Sequence, residues 1–344
     1  MKTQNHTLLQ MDFQKRRRRF IIVTGILGLF TLILSLLALI SGNTFYPLDV
    51  VLKVLLGENI QGATFAIATL RLPRMLAAVL VGLSFGIAGS TFQTMLRNPL
   101  ASPDIIGVTS GSSVAAVFCI LVLKASGFVV SVAAVVAGLL VAALIYLLSR
   151  GGSFSGGRLI LIGIGVQAML NSVISYLMLK ASQYDVPGAM RWLSGNLNGI
   201  RMSQIPSLGI VTVCFGLVIL ILSRQLKILE LGESTALTLG LRTNLIRLLL
   251  ILSSVFLIAF ATAVTGPIAF VAFLSGPIAK RWVGSGSTLQ LPAGFVGASL
   301  VLCADLMGQF AFDTRFPVGV ITGILGAPYL LYLLIRMNQK GGTA

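Results

Sequence analysis

The sequence predicts an all-α membrane protein that crosses the bilayer about ten times. Hydrophobic residues make up 56% of the 344 residues and charged residues only 10%, whereas a soluble globular domain has about 25% charged residues. The apolar residues are grouped in long runs with few charges, and roughly 20 apolar residues are enough to cross the hydrocarbon core as a helix. These two observations together favour a polytopic membrane protein over any soluble fold.

The apolar runs set the positions of the predicted spans, which are residues 20–41, 74–96, 105–123, 127–149, 159–180, 206–223, 245–264, 267–283, 293–311 and 318–335. The first run is longer than the apolar region of a secretory signal, and no clear small-residue cleavage site follows it, so we expect it to be retained. The loops are short. The chain is therefore predicted to form one transmembrane domain at 20–336, with a basic tail at 1–19 and a short tail at 337–344.

The distribution of basic residues predicts the orientation of the spans. If Lys15–Arg19 is cytoplasmic, 17 of the 25 Lys and Arg residues fall on the cytoplasmic side and 8 on the other side. Lys and Arg collect on the cytoplasmic side of membrane proteins. The bias predicts that both termini are cytoplasmic. It also explains the net charge of +16 without a nucleic-acid partner.

Cysteine and histidine usage argues against redox, metal or catalytic chemistry. Cys119, Cys214 and Cys303 lie in three separate apolar runs, and His6 in the N-terminal tail is the only histidine. We expect the cysteines to pack as small apolar residues. A histidine-based metal site or catalytic triad is excluded by composition, and the sequence predicts no cofactor bound by this chain.

The second predicted span is suited to close helix packing. Gly82, Gly86 and Ser90 are four residues apart, so they lie on one helix face. Small residues on one face let a neighbouring backbone approach closely in a membrane. Further along the chain, residues 265–284 contain two prolines and three glycines. This composition predicts a broken or kinked helix whose freed backbone groups are satisfied by neighbours.

Two predicted spans carry polar groups at depth. Gln167, Asn171 and Ser175 lie at intervals of four on the fifth span, and this face must turn away from lipid. It either lines a translocation path or bonds to a neighbouring helix. Asp305 is the one acid well inside an apolar run. It is a candidate functional carboxylate or a structural partner of an arginine or a helix end.

The most polar internal segment on the predicted cytoplasmic side is residues 229–244. Ser234–Leu239 is predicted to form a short helix that ends at Gly240, because glycine readily adopts the left-handed conformation that terminates helices. As structure alone, this is a surface helix and turn.

Several motifs in order resemble the FecCD family, the permeases of ABC importers for ferric siderophores, haem and vitamin B12. The matching segments are RLPR at 71–74, RNPLA at 97–101, RWLSGNLN at 191–198, GESTALTLG at 232–240, GPIAF at 266–270 and GVITGILGAP at 319–328. The resemblance implies a BtuC-like type II importer fold in the bacterial cytoplasmic membrane. It also implies two permease subunits, two ATPase subunits that use ATP and Mg²⁺, and an extracytoplasmic binding protein.

The resemblance also implies roles for individual residues. The expected ATPase-coupling residues are Gly232, Glu233, Ala236, Leu239 and Gly240. The expected docking residues for the binding protein are Arg71 and Arg74. Arg315, on the same predicted side, stands where the family usually has no basic residue and is expected to supplement them. Apart from the resemblance, the candidate translocation-path residues are polar side chains inside the predicted spans, namely Gln93, Gln167, Asn171 and Ser175.

Some alternatives remain open at this point. A secondary transporter is disfavoured because it usually needs several intramembrane carboxylates, and a membrane enzyme because no acid–base set is present. Ferric siderophore is preferred as cargo over haem or vitamin B12. Ile278 and Arg315-Phe316 depart from the family pattern, which favours a heterodimeric permease over a homodimeric one.

Overall fold

The computed structural model describes residues 2–149, 156–284 and 286–341. Within these residues the chain forms fourteen α-helices and no strand. The helices are α1 Lys2–Ile40, α2 Leu48–Leu55, α3 Leu72–Met95, α4 Val108–Leu121, α5 Phe128–Ser149, α6 Gly156–Lys180, α7 Val186–Leu193, α8 Ile205–Ile221, α9 Ser223–Glu230, α10 Glu233–Thr238, α11 Thr243–Thr265, α12 Val271–Val283, α13 Gln290–Phe310 and α14 Val318–Gly341. A π-helical segment, Phe65–Arg71, runs directly into α3, and short 3₁₀ turns precede α4 and α8.

Eight of these helices are long and apolar enough to cross a membrane, namely α1, α3, α5, α6, α8, α11, α13 and α14. The other two predicted spans are shorter helices, α4 with 14 residues and α12 with 13 residues. At about 1.5 Å per residue each covers roughly 20 Å, which is less than the hydrocarbon core. Both follow irregular backbone, as the sequence predicted for residues 265–284. The helix α1 begins within the predicted basic tail and continues into the first span.

The centre of the bundle is α3, packed against α8, α11, α12 and α13. The small face predicted from the sequence faces α13: a Cβ added to Gly82 would meet the backbone of Gly297 and Ala298, and one added to Gly86 would meet Ala293. The two backbones are therefore in direct contact. Among the eight long spans, α3 has the largest buried share of its most apolar window, at 72%.

The spanning helices alternate in direction, so the connecting segments gather at two ends of the bundle. One end, which we call the Arg74 end, holds the C-terminus of α1, the start of α3, α7, and the α13–α14 connection. The opposite end, which we call the Glu233 end, holds α9, α10 and the α12–α13 connection. Contacts agree with this arrangement, since Arg19 Nε donates to the Trp282 carbonyl across the Glu233 end, at 3.0 Å.

Candidate functional site

The three arginines predicted to dock a partner lie around one cavity at the Arg74 end. Arg71, Arg74 and Arg315 line this cavity of about 460 Å³, although Arg315 is more than 240 positions from the other two in the sequence. We call it the mouth cavity. Its remaining lining includes the end of α1, residues 197–200 and the end of α13. Three guanidinium groups and one carboxylate, that of Asp305, make the cavity net positive.

The guanidinium of Arg71 is held by its own chain. Nη1 donates to the carbonyls of Leu39 and Ile40, both at 2.8 Å, and Nη2 donates to the carbonyl of Thr44 at 2.6 Å. The group also lies over the ring of Tyr46, 5.0 Å from its centroid. These carbonyls are at and just beyond the C-terminus of α1, where the helix leaves acceptors without intrahelical donors. Arg71 therefore caps α1 as well as lining the cavity.

Arg74 forms a buried ion pair with Asp305, so of the two structural partners considered for that acid, an arginine or a helix end, the structure shows an arginine. Nε donates to both carboxylate oxygens, at 3.1 and 2.9 Å, and Nη2 donates to Oδ1 at 2.7 Å. The Asp305 side chain is only 3% exposed and that of Arg74 is 18% exposed. Gln309 donates a further hydrogen bond to the carboxylate at 2.8 Å. The pair ties α3 to α13 at the mouth.

Arg315 is the most accessible of the three arginines. It is exposed, and the hydrogen bond described for it runs from Nη2 to the Asn43 side-chain oxygen, at 2.6 Å. A neutral amide is a weaker partner for guanidinium than a carboxylate. Arg315 is thus placed to donate to a stronger hydrogen-bond acceptor from outside the chain.

Sequence reasoning missed Asn198, which joins the mouth cavity to a second cavity. Its side-chain oxygen accepts a hydrogen bond from Arg74 Nη1. Residues 198–200 line the mouth cavity and also a neighbouring cavity of about 360 Å³, so they form the wall between the two. The signal was available, because Asn198 belongs to the RWLSGNLN motif. The sequence analysis named no site residue within that motif.

The polar face of α6 lines a different cavity, of about 430 Å³. Gln167, Asn171 and Ser175 all contribute to it, as the spacing of four predicted. They are joined by Asp104, which the sequence analysis did not single out, and by hydroxyl groups of α4. Burial raises the pKa of the Asp104 carboxyl above its ordinary value, and hydrogen bonds donated by the hydroxyls of Ser102 and Thr109, each at 3.0 Å, act against that rise.

Gln93 lies away from the α6 cavity and supports a kinked helix. Its Nε2 donates to the Phe273 carbonyl at 2.9 Å. Pro277 lies four residues after Phe273 within α12 and has no N–H to donate to that carbonyl. Gln93 supplies the missing donor. A Cβ on Gly276 would meet the Gln93 side-chain oxygen, so the glutamine is closely packed at the break.

The predicted coupling residues form a compact helix and turn at the Glu233 end. The helix α10 begins after Gly232, at φ +116°, and ends before Gly240, at φ +80°, conformations that favour glycine. Ala236 is buried and Leu239 is 60% exposed. One face of the segment is thus anchored on the bundle, and an apolar side chain is presented outward.

Glu233 fixes this segment to a spanning helix. Its carboxylate lies 3.7 Å from the Arg247 guanidinium, near the start of α11. Arg247 is buried within the bundle, with its side chain 10% exposed, whereas the Glu233 side chain is 36% exposed. A displacement of α10 would therefore pull on α11 through this ion pair.

Among the described residues, no group of three or more Cys, His, Asp or Glu side chains is arranged to hold a metal ion. The polar sites described above are the mouth cavity, the α6 cavity and the α10 surface. They provide hydrogen bonds and charge and would support binding and movement.

Comparison with known proteins places these features in context. The model of the FecCD transport family matches residues 29–336. The chain is 34% identical to the ferric enterobactin transport system permease protein FepG of Escherichia coli over 324 residues, which cover 94% of this chain and 98% of that protein. It is 33% identical to the Fe(3+)-citrate import system permease protein YfmE of Bacillus subtilis, over 93% of this chain and 96% of that protein.

A solved structure, an inward-facing conformation of a metal-chelate type ABC transporter, superimposes with a TM-score of 0.83 at 26% identity, covering 92% of this chain and 100% of that chain. The helical fold is therefore that of a known class of ABC transporter subunit.

Proposed function

The chain belongs to the FecCD transport family, and from this membership we propose that it is the transmembrane subunit that carries ferric siderophore through an ABC importer. In this proposal a separate ATPase hydrolyses ATP at the Glu233 end, and an extracytoplasmic protein delivers the cargo at the Arg74 end. The Glu233 end, with both termini, faces the cytoplasm. The 17-to-8 distribution of basic residues supports that orientation.

The observation that carries the proposal is the α10 segment. It is a six-residue helix between two glycines of positive φ, exposed on one side and anchored to α11 by the Glu233–Arg247 pair. A small surface element joined to a spanning helix is what a transport subunit needs in order to receive motion from a partner. Rearrangement of helices then changes which side of the path is open.

The α6 face supports a second permease subunit. Asn171 and Ser175 are exposed and Gln167 is half-buried in the isolated chain. Such groups are costly against lipid, so this face is covered in the assembled transporter by water in a path or by another chain. We propose that it lines the path between two permease subunits, the second being a homologue.

The mouth cavity supports docking of an acidic partner. Its arginines present guanidinium groups, which bind carboxylates in paired hydrogen bonds. The complementary charge would also speed encounter with the binding protein. Arg71 is bonded to carbonyls and Arg74 to a carboxylate of their own chain, whereas the exposed Arg315 is bonded to a neutral amide, so Arg315 carries the largest share of this contact.

The cargo assignment follows the relatives, whose names specify ferric enterobactin and ferric citrate. Haem and vitamin B12 are the other cargoes considered.

Uptake of radioactive ferric siderophore tests the proposal in cells that lack the chain and are complemented with variants. We expect wild type to restore uptake and Glu233→Arg to abolish it, because the reversed charge repels Arg247 and displaces α10. The matched control is Glu58→Arg, the same charge change on an exposed residue beyond α2 at the Arg74 end, which should transport normally. Normal uptake with both variants would refute the role of α10.

The cargo is tested separately in the same cells. Loss of iron uptake in the deletion strain supports siderophore. Loss of haem or cobalamin uptake with normal iron uptake would contradict the siderophore assignment. Co-purification of the ATPase with wild type and not with Glu233→Arg would tie the defect to the α10 contact.

A further inference from the structure

We propose that Asn198 is the residue through which docking at the mouth cavity is sensed: it holds Arg74 in the free permease and gives way to a partner's carboxylate. This inference rests on the docking function proposed above. It adds a residue and a route that link docking to the distant coupling helix.

An incoming carboxylate can displace only one of the two acceptors that Arg74 holds. Arg74 has two partners, Asp305 and Asn198. Asp305 is 3% exposed and receives three hydrogen bonds from Arg74 and one from Gln309. Removing its guanidinium would leave a buried unpaired charge, which is strongly unfavourable. Asn198 is exposed and neutral, so it is the acceptor that exchanges.

The exchange is favourable because of charge. A carboxylate carries a full negative charge, so it attracts the Arg74 guanidinium more strongly than the neutral Asn198 amide does. The Nη1 group of Arg74 can therefore release the Asn198 amide and donate to a partner's carboxylate, while Nε and Nη2 remain hydrogen-bonded to Asp305. Asn198 is released, and the ion pair that ties α3 to α13 remains intact.

Asn198 is linked by hydrogen bonds to the end of α11. Its backbone N–H donates to the Asn196 side chain at 2.9 Å, and the Asn196 N–H donates to the Thr265 carbonyl at 2.6 Å. Three hydrogen bonds thus lead from Arg74 to the last residue of α11. A Cβ on Gly195 would meet the Pro267 carbonyl, so the same loop also lies on the non-helical stretch before α12.

The loop contacts a third helix as well. The Gly319 N–H at the start of α14 donates to the Gly195 carbonyl at 3.1 Å. The segment 195–198 therefore bonds to Arg74, to α11 and to α14. When the bond to Arg74 is lost, a movement of this segment would also alter its contacts with α11 and α14.

The helix α11 connects this loop to the other end of the bundle. The helix runs without a break from Thr243 to Thr265, and at about 1.5 Å per residue its 23 residues span roughly 35 Å. Its first turns carry Arg247, the partner of Glu233 in α10. A single rigid helix thus has the docking loop at one end and the coupling helix at the other.

Two substitutions of Asn198 should act in opposite directions. Asn198→Asp gives Arg74 a carboxylate from its own chain, so the loop stays held and the binding protein competes poorly. Asn198→Ala removes the acceptor, so the loop is released without docking. The matched control is Asn43→Ala. This asparagine is also an exposed acceptor on a mouth arginine, Arg315, and no described hydrogen bond joins it to segment 195–198.

The measurements are binding-protein affinity and ATP hydrolysis of the permease with its ATPase in nanodiscs. We expect Asn198→Asp to weaken docking about tenfold, a difference typical of one charge-assisted contact. Its hydrolysis rate with the binding protein should stay at the rate measured without it. In Asn198→Ala the rate without the binding protein should move to the docked wild-type rate. Asn43→Ala should keep the wild-type ratio of the two rates.

The outcomes separate this inference from the docking function. If wild type responds to the binding protein and both Asn198 variants keep the wild-type ratio, the sensing role is refuted and docking stands. An equal effect of Asn43→Ala would also refute it, because any loss at the mouth would then suffice. A wild-type complex that does not bind the protein would refute docking and the sensing role together. Melting midpoints of the variants within about 2 °C of wild type show that each is folded.

Discussion

Removing either member of the Arg74–Asp305 pair should destabilise the protein far more than removing both. The perturbation is a set of three variants, Arg74→Leu, Asp305→Leu and the double substitution. The pair is suited to this design because three hydrogen bonds of 2.7 to 3.1 Å join the two side chains. Leucine replaces each with an apolar group that can pack between α3 and α13.

The expected magnitudes follow from burial. Arg74→Leu leaves the carboxylate of Asp305, only 3% exposed, without its counter-charge, and breaking a buried pair in this way costs about 3–5 kcal/mol. Asp305→Leu leaves a guanidinium that lines the mouth cavity and is 18% exposed, so the cost is smaller, about 1.5–3 kcal/mol for the lost charged hydrogen bonds. The double variant has no buried charge and should lie within about 1 kcal/mol of wild type, since apolar replacement of buried pairs is often neutral.

The assay is the thermal midpoint of the purified protein in detergent, followed as the loss of its monodisperse peak on size exclusion. One kcal/mol corresponds to about 2–4 °C in chains of 150–250 residues and to about 2 °C in a longer chain. Arg74→Leu should therefore lower the midpoint by about 6–10 °C, and the double variant by no more than about 2 °C.

Additive shifts would refute this reasoning. If the double variant were as unstable as the two single variants summed, the two side chains would be acting independently and the pair would not be the source of the cost. A wild-type midpoint for Arg74→Leu would also refute it, because the carboxylate would then not need its partner.

Three further predictions concern packing and charge. Gly276→Ala should cost about 1–3 kcal/mol by overpacking, because the new methyl meets the Gln93 side chain, and should cost less in a Gln93→Ala background when thermal midpoints are compared. Gly86→Val should abolish monodisperse protein, since it separates α3 from α13, whereas Gly25→Val, at a glycine with open space around it, should leave the yield unchanged. Arg315→Glu should weaken docking about tenfold at low salt, and its difference from wild type should shrink as ionic strength rises; a salt-independent difference would contradict an electrostatic contact.

The features predicted well from the sequence are those that a single helix determines. Gly82 and Gly86 are four residues apart, so their shared face follows from helical geometry before the facing helix is known. The short helix ending at Gly240 was predicted in the same way, from a local propensity, and the structure confirms it as α10, Glu233–Thr238. The polar face of α6 also needed only the spacing of four, and its three side chains do line one cavity.

The features that the sequence left open depend on distant contacts. Asp305 lies 231 residues from Arg74, and no periodicity links the two. Gln93 was grouped with path residues only because it is polar inside a span. Pro277 was the better signal, because a proline leaves the carbonyl four residues before it without a donor. Proline shows that a donor is needed, yet which of the surrounding helices supplies it depends on the packing of α3 against α12.

The burial of the spans indicates where a translocation path can lie. The most apolar windows of α3, α11 and α13 are 72%, 67% and 67% buried, and α3 and α13 touch through their glycine backbones. The centre of this chain is therefore filled, and a cargo cannot pass between these helices without breaking backbone contacts. The equivalent window of α6 is only 11% buried, although α6 carries Asn171 and its polar neighbours. Since apolar spans can face lipid and this polar face cannot without a large cost, the burial pattern supports the proposal that the path lies at the α6 surface, where a second subunit would complete it.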